Sequence, residues 1–295
     1  MLKRLLCSAL VACLPLAGDA VEQKPDAPFF YNAMPQSGPF YFVRTMSSFF
    51  DLDTFRVTKK TFPEDQIFEN PFIRFIDQGD KKIVEAYADP SSHNIGLFQK
   101  HLPKFVLHVR DPREALVSWI DYVDRHRNHK FTLGRVPPVP PPEYFDWNFE
   151  EKADWQIEHY FSYCVDWLEQ WLDTLDQHPE LEIKVTTFEE MVTDPLNFFR
   201  EIVSFYGGDA EDFTEGDVFP IWRAQYHFTE EDIATWKERL TNEQQERVTA
   251  EMPDRFFEYF GWELYTDRES KFKFQARKRP EFEPDAVDAE AVQLE

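Results

Sequence analysis

Arg110 and Ser118 stand eight residues apart in the segment 105–118, FVLHVRDPREALVS. The apolar run FVLHV predicts a buried strand that stops where Arg110 begins. Asp111 then fits a helix N-cap, Pro112 the first helical position, and Glu114 the third residue of a capping box. A helix that starts there aims its unpaired N–H groups and the positive end of its dipole at the strand end. The guanidinium of Arg110 adds a flat fork suited to phosphate oxygens. Ser118, two turns along, adds a hydroxyl donor, and Arg113 either assists or faces solvent. The pattern reads as an anion site. Its alternative is an Arg110 paired with Asp111 or a neighbouring carboxylate.

A second constellation is Gln36, Ser37, Gly38, Pro39, Phe40 and Tyr41. It sits between an apolar run and a stretch with helical spacing, so its backbone N–H groups could cradle a phosphate as P-loops do. The kinase pattern GxxxxGK[ST] is absent, which leaves a P-loop kinase as the weakest reading. His108 falls inside a strand and reads as a core residue, while His101 and His227 have no supporting context. No Cys/His cluster has metal-ligand spacing, so no metal is expected. No G-x-S-x-G elbow appears either.

These residues need a scaffold. Apolar runs predict strands at 28–34, 82–88, 105–109 and 181–187, and helical periodicity marks 41–50, the stretch after Asp111, Trp155–Leu175, and the stretch from Asp194 to Gly207-Gly208. The run 136–142 (VPPVPPP) can be neither helix nor central strand. Strands alternating with helices imply an α/β three-layer sandwich with a central, mostly parallel sheet. Ligands of such sheets bind at the carboxyl ends of the strands, which points to the loops 35–40, 87–93 and 110–118.

Composition sets outer bounds. The 295 residues carry 55 acidic against 32 basic side chains, a net charge of −23. Such a chain repels nucleic acid and anionic membranes at long range, so neither is an expected partner. With 42% hydrophobic residues and 30 Phe, one large aromatic-rich core is expected. Residues 1–20 resemble a signal peptide: Lys3 and Arg4, an apolar run from Leu5 to Leu16, then small residues Gly18 and Ala20. That run is too short for an integral membrane span. The expected location is cytoplasmic if the segment is no signal, and the secretory pathway or cell envelope if it is. Two of the three cysteines, Cys7 and Cys13, lie in it, leaving Cys164 without an intramolecular partner in a processed chain. The main domain is expected over 27–266, followed by a disordered acidic tail over 276–295.

Taken together, the PQSGPF loop, RDPREALVS and the later TTFEEMVTDPLNFFREIVSFYG resemble, in order and spacing, the PAPS-dependent sulfotransferase family of the cytosolic type. The likeness runs over roughly residues 28–262, and Trp236-Lys237 followed by LTNEQ resembles the family's C-terminal segment. It implies a P-loop-like sulfotransferase fold with PAPS as co-substrate. The first loop would hold the 5′-phosphosulfate, Arg110 and Ser118 the 3′-phosphate, and Phe188 would lie by the adenine. The implied activity is transfer of a sulfuryl group to a hydroxyl or amine of a small-molecule or glycan acceptor, without a metal. The sequence departs from the family at several points. Gln36 stands where the loop Lys is usual, and Pro39 and Phe40 stand where two hydroxyl residues grip the phosphate. Thr229-Glu230-Glu231 replace a basic triplet, and Tyr87 takes the place of the base His. A Tyr hydroxyl, pKa about 10, is a poor base at neutral pH. His93, six residues on at the same rim, has an ordinary pKa near 6.5 and suits a general base; Asp89 is another candidate. The catalytic candidates are therefore His93, Gln36 and Tyr87. A sulfotransferase fold without transfer, kept as a nucleotide-binding or regulatory module, is the alternative.

Overall fold

The computed structural model describes residues 24–128, 138–218 and 233–263. The expectations for 1–20, for 276–295 and for Thr229-Glu230-Glu231 lie outside these residues. Five strands form one sheet: β1 (Phe29–Ala33), β2 (Asp53–Phe55), β3 (Lys82–Ala86), β4 (Lys104–Val109) and β5 (Glu182–Thr187). Their order is β2-β3-β1-β4-β5, and every pairing is parallel.

Parallel strands need helical crossovers, which bury both faces of the sheet. The wholly buried FFYNA of β1 shows the consequence. Phe29, Tyr31 and Ala33 turn to one face, where α1 (Pro39–Phe49), α7 (Phe188–Thr193) and α8 (Pro195–Phe205) pack. Phe30 turns to the other, beneath α2 (Glu69–Asp77), α3 (Ser92–His101), α4 (Pro112–Arg125) and α6 (Ser162–Gln177). A further helix, α5 (Phe149–Gln156), runs through one π turn (Ile157–Phe161) into α6. Three short helices, α9 (Thr235–Arg239), α10 (Asn242–Glu251) and α11 (Asp254–Phe260), complete that layer. The core is aromatic: Phe98 stacks on Phe105 at 4.4 Å between centroids, and Tyr31 on Phe42 at 3.8 Å. Each such contact is worth roughly 0.5–1.5 kcal/mol beyond burial.

The three-layer sandwich is as expected, and the sheet is wholly rather than mostly parallel. Two elements carry no sequence signal of their own. β2 is three residues long and largely exposed, so it shows no alternation. α2 contributes only Phe72 and Phe75 as fully buried residues. The third strand ends at Ala86, not 88, because the next backbone groups leave the ladder for side chains. Tyr87 N–H donates to Asp65 Oδ2 at 3.1 Å, and the Ala88 carbonyl accepts from Asn32 Nδ2 (3.0 Å), Trp167 Nε1 (3.1 Å) and Trp171 Nε1 (3.1 Å). No helix among the described residues is long and apolar enough to cross a membrane.

Candidate functional site

The parallel register brings the carboxyl ends of β1, β4 and β5 level. Ala33 pairs with His108, and Val109 with Thr187, so Arg110 emerges beside Phe188. The Arg110 guanidinium lies over the Phe188 ring, 3.9 Å from its centroid, and both side chains are buried. Cation–π contact in so dry a place is worth about 2 kcal/mol.

Arg110 does not pair with Asp111, but it does pair with a neighbouring carboxylate, Glu114. Its NH1 donates to the Gln36 carbonyl at 2.9 Å, and its NH2 lies 3.7 Å from Glu114 Oε2, one helical turn on. Arg113 takes Asp111 instead, with Nε 3.0 Å from Oδ1 and NH2 2.6 Å from Oδ2. Arg113 does not face solvent: it is 1% exposed, with its guanidinium 4.1 Å from the Trp236 ring. The capping box expected at α4 does not form. Asp111 does cap the helix, accepting from Arg113 N–H, but Glu114 turns away to accept from Thr235 Oγ1 (2.7 Å) and Trp236 N–H (3.2 Å). The N–H of Asp111 goes to Glu189 Oε1 at 3.0 Å.

Two arginines thus sit among three buried carboxyl groups. Burial pushes Glu114 up to about 7, against the attraction of Arg110. Burial, reinforced by the charge of Asp111, pushes Glu189 up to about 7 as well. Glu189 Oε2 is buried without a hydrogen-bond partner among the described residues, a group that costs least when protonated.

The first loop closes onto this cluster. Ser118 Oγ donates to Gln36 Oε1 at 3.0 Å, so Gln36 touches Arg110 through its backbone and Ser118 through its side chain. Gln36 is left-handed, with φ 67°, a conformation that costs a non-glycine residue about 1–3 kcal/mol and clusters at functional sites. Gly38 must be glycine. Its φ is +80°, and a Cβ there would come within 2.9 Å of Met191 Cε and 3.3 Å of the Phe188 ring. The Ser37 hydroxyl faces inward, donating to the Met34 carbonyl at 2.6 Å.

His108 pins the loop from below. Its Nε2 is 2.9 Å from the Ser37 carbonyl, which can only accept, so Nε2 carries the proton and Nδ1 accepts from Thr186 Oγ1 at 2.8 Å. The His108 carbonyl also accepts from Met34 N–H at 2.8 Å. Burial pushes His108 down to about 3, so it stays neutral. It is a core residue, as its place in the strand implies, and also a buttress of the loop.

The remaining candidates separate. Pro39 opens α1 at its first position, and Phe40 projects at 47% exposure with Arg44 over its ring at 5.1 Å. Helical spacing turns the Tyr41 side chain into the core against Phe199, and burial raises it to about 12. Tyr87 stands half-buried at the rim past β3, with Lys60 Nζ 6.0 Å from its ring. His93 is exposed on the first turn of α3, and its Nε2 lies 2.9 Å from the Ile67 carbonyl. By the same logic as for His108, Nε2 holds the proton and Nδ1 is the basic nitrogen. Asp89 is engaged by Asn94, whose Nδ2 lies 2.7 Å from its Oδ1.

Gln36, Arg110, Ser118 and Phe188 therefore converge, whereas Tyr87 and His93 belong to a neighbouring rim. Glu114 and Glu189 carry roles that the sequence reading missed. Glu114 lies four residues after Arg110, a spacing that predicts an ion pair on one helix face. Glu189 had no signal, because only the β4–β5 pairing brings it to Asp111. Among the described residues no cluster of His, Cys, Asp and Glu could hold a metal ion.

Comparison with solved structures places this architecture. Mouse sulfotransferase SULT7A1, solved with PAP, superposes with a TM-score of 0.52 at 13% identity, covering 80% of this chain and 88% of that one. Retinol dehydratase, solved with androsterone and inactive cofactor PAP, gives 0.50 at 12% identity, covering 85% and 83%. Identities this low establish a shared fold. No curated protein sequence matches the chain. The sulfotransferase domain model matches residues 33–257, the span that holds the loop, Arg110 and Ser118, Phe188 and the Trp236 segment, and the chain belongs to that family.

Proposed function

We propose that the chain binds PAPS at this site and transfers its sulfuryl group to a hydroxyl or amine of a small-molecule or glycan acceptor. The supporting observation is that Arg110 and Ser118 both meet Gln36, at 2.9 Å through its carbonyl and at 3.0 Å through its side chain, beside Phe188. Those donors suit a nucleotide bearing a 3′-phosphate: a guanidinium fork, a hydroxyl, and an aromatic face beside them. The 5′-phosphosulfate would lie toward the 36–39 loop. There Gln36 offers amide N–H groups to the departing phosphate oxygen. A bond from the acceptor oxygen or nitrogen to sulfur forms as the S–O bond to the phosphate breaks, and PAP leaves. We assign the acceptor's proton to Nδ1 of His93, oriented by the Ile67 carbonyl, with Tyr87 beside the acceptor. The two neighbours solved with PAP, one of them also holding androsterone, are consistent with such ligands. The test is calorimetric titration with PAP alongside transfer of labelled sulfate to a panel of alcohols, phenols, amines and sugars. Binding is expected in the wild type and should weaken about ten- to a hundredfold in Arg110→Ala, the worth of charge-assisted hydrogen bonds. No binding and no transfer would overturn the reading.

One observation favours a second reading, a nucleotide-binding module without turnover. The loop position carries the uncharged Gln36, and the residue in the base slot is Tyr87. PAP binding without transfer to any acceptor would decide for it.

A further inference from the structure

Glu114 holds partners from two distant parts of the chain. Its Oε2 is 3.7 Å from Arg110 NH2 on its own helix turn. Its carboxyl also accepts from Thr235 Oγ1 at 2.7 Å and from Trp236 N–H at 3.2 Å, at the start of the C-terminal helices. The side chain is 2% exposed, so solvent hardly screens these contacts. A separation of 3.7 Å is too long for a hydrogen bond. Glu114 thus steers the guanidinium by charge without taking up an N–H. A second tie runs in parallel: Trp236 lies under Arg113, Arg113 pairs with Asp111, and Asp111 N–H meets Glu189 beside Phe188. The first turn of α4 therefore joins the proposed phosphate fork to the segment 233–263.

We propose that Glu114 is a positioning residue. It sets Arg110 for a 3′-phosphate and couples the occupancy of that fork to the docking of residues 233–263. The inference rests on the nucleotide reading above. A phosphate that fixes the guanidinium also fixes the carboxylate behind it, and through it Thr235 and Trp236. Linkage makes this reciprocal, since a docked segment must strengthen phosphate binding by the factor with which phosphate strengthens docking. The coupled ligand class is a nucleotide with a 3′-phosphate, and a nucleotide without one should show no coupling.

The experiment uses the full chain. Dissociation constants for PAP and for AMP, which lacks the 3′-phosphate, are measured by calorimetry. Hydrogen exchange over 233–263 is followed with and without saturating PAP. In the wild type, PAP should slow exchange across the segment and AMP should not. Glu114→Gln should weaken PAP about tenfold, change AMP less than about twofold, and abolish the protection by PAP; coupling energies of this kind typically span 5- to 150-fold. Glu114→Asp should restore part of the difference. Thr235→Val leaves the charge pair in place and should lose the protection with an approximately fivefold weaker PAP constant, so it carries the test if Glu114→Gln folds poorly. Equal losses for PAP and AMP, or undiminished protection in both variants, would overturn the inference. A wild type that binds PAP without protecting the segment would overturn it alone, whereas a wild type that binds no PAP would overturn the nucleotide reading beneath it.

Discussion

Arg110 and Gln36 meet across 2.9 Å, yet the segments that carry them are held by different forces. The first turn of α4 is held by charge: Arg110 and Arg113 stand among Asp111, Glu114 and Glu189, all at most 5% exposed. Apart from the Arg110 contact, the 34–38 loop is held by neutral hydrogen bonds, from Ser37 to Met34, from His108 to Ser37 and from Ser118 to Gln36. A charged cluster can hold an anion at a fixed place but needs its carboxyl groups managed, which here means raised proton affinity. A neutral loop holds its shape at any ordinary pH but brings little electrostatic stabilisation to a transferring group. On the proposed function, the contrast assigns binding strength to the α4 side and the weaker share of the chemistry to the loop.

The largest expected effect separates the two sides by pH. His108 binds a proton less readily in the folded state, about 3 against 6.5, so unfolding takes up protons below about 6.5 and stability falls as the pH drops from there toward 3. Glu114 and Glu189 behave oppositely. Each moves from 4.5 to about 7, so the folded state holds more protons between those values and stability falls as the pH rises through that window. At about 1.4 kcal/mol per unit, the limits are about 5 kcal/mol for the histidine and about 3 for each carboxyl. Urea unfolding at stepped pH should show both limbs. His108→Gln should flatten the acid limb, and Glu189→Gln the neutral one; a profile unchanged by either substitution would break the contrast.

Next in size is Arg113→Ala. It strands Asp111 in a buried place and uncovers Trp236, a loss of about 3–5 kcal/mol measured by chemical denaturation. A cost under about 1 kcal/mol would mean that the α4 cluster is not held by charge. His93→Ala, on the neighbouring rim, should lower kcat about a hundredfold while leaving the PAP dissociation constant within about twofold. An unchanged kcat would move the proton to Tyr87 or another group. The smallest expected effect is a gain. Gln36→Lys places charge in the neutral loop, keeps the backbone position, and should raise kcat about tenfold, a part of what a single well-aimed donor contributes. If turnover stays the same, the loop is not where the chemistry is limited.

The alternation of buried strands and helices was legible, because burial of a parallel sheet on both faces writes itself into apolar runs such as FFYNA and FVLHV. So were the turn at Gly38 and the N-cap at Asp111, since each answers a local backbone requirement. Spacing put Ser118 two turns along the helix that follows Arg110, and the family resemblance marked the two as a pair. β2 escaped notice because a short, exposed edge strand leaves no alternation. What Glu114 and Arg113 do was decided elsewhere. The local rule offered Glu114 a capping box and Arg113 either the anion site or the solvent, but once the chain closed Glu189 took the Asp111 N–H, Thr235 and Trp236 took Glu114, and Trp236 covered Arg113, partners from 78 to over 100 residues away. A sequence determines where a charge lies along the chain and which neighbours it has within a turn. Which charge it meets across a sheet edge depends on register and on which groups are dried together, and only the tertiary structure decides that.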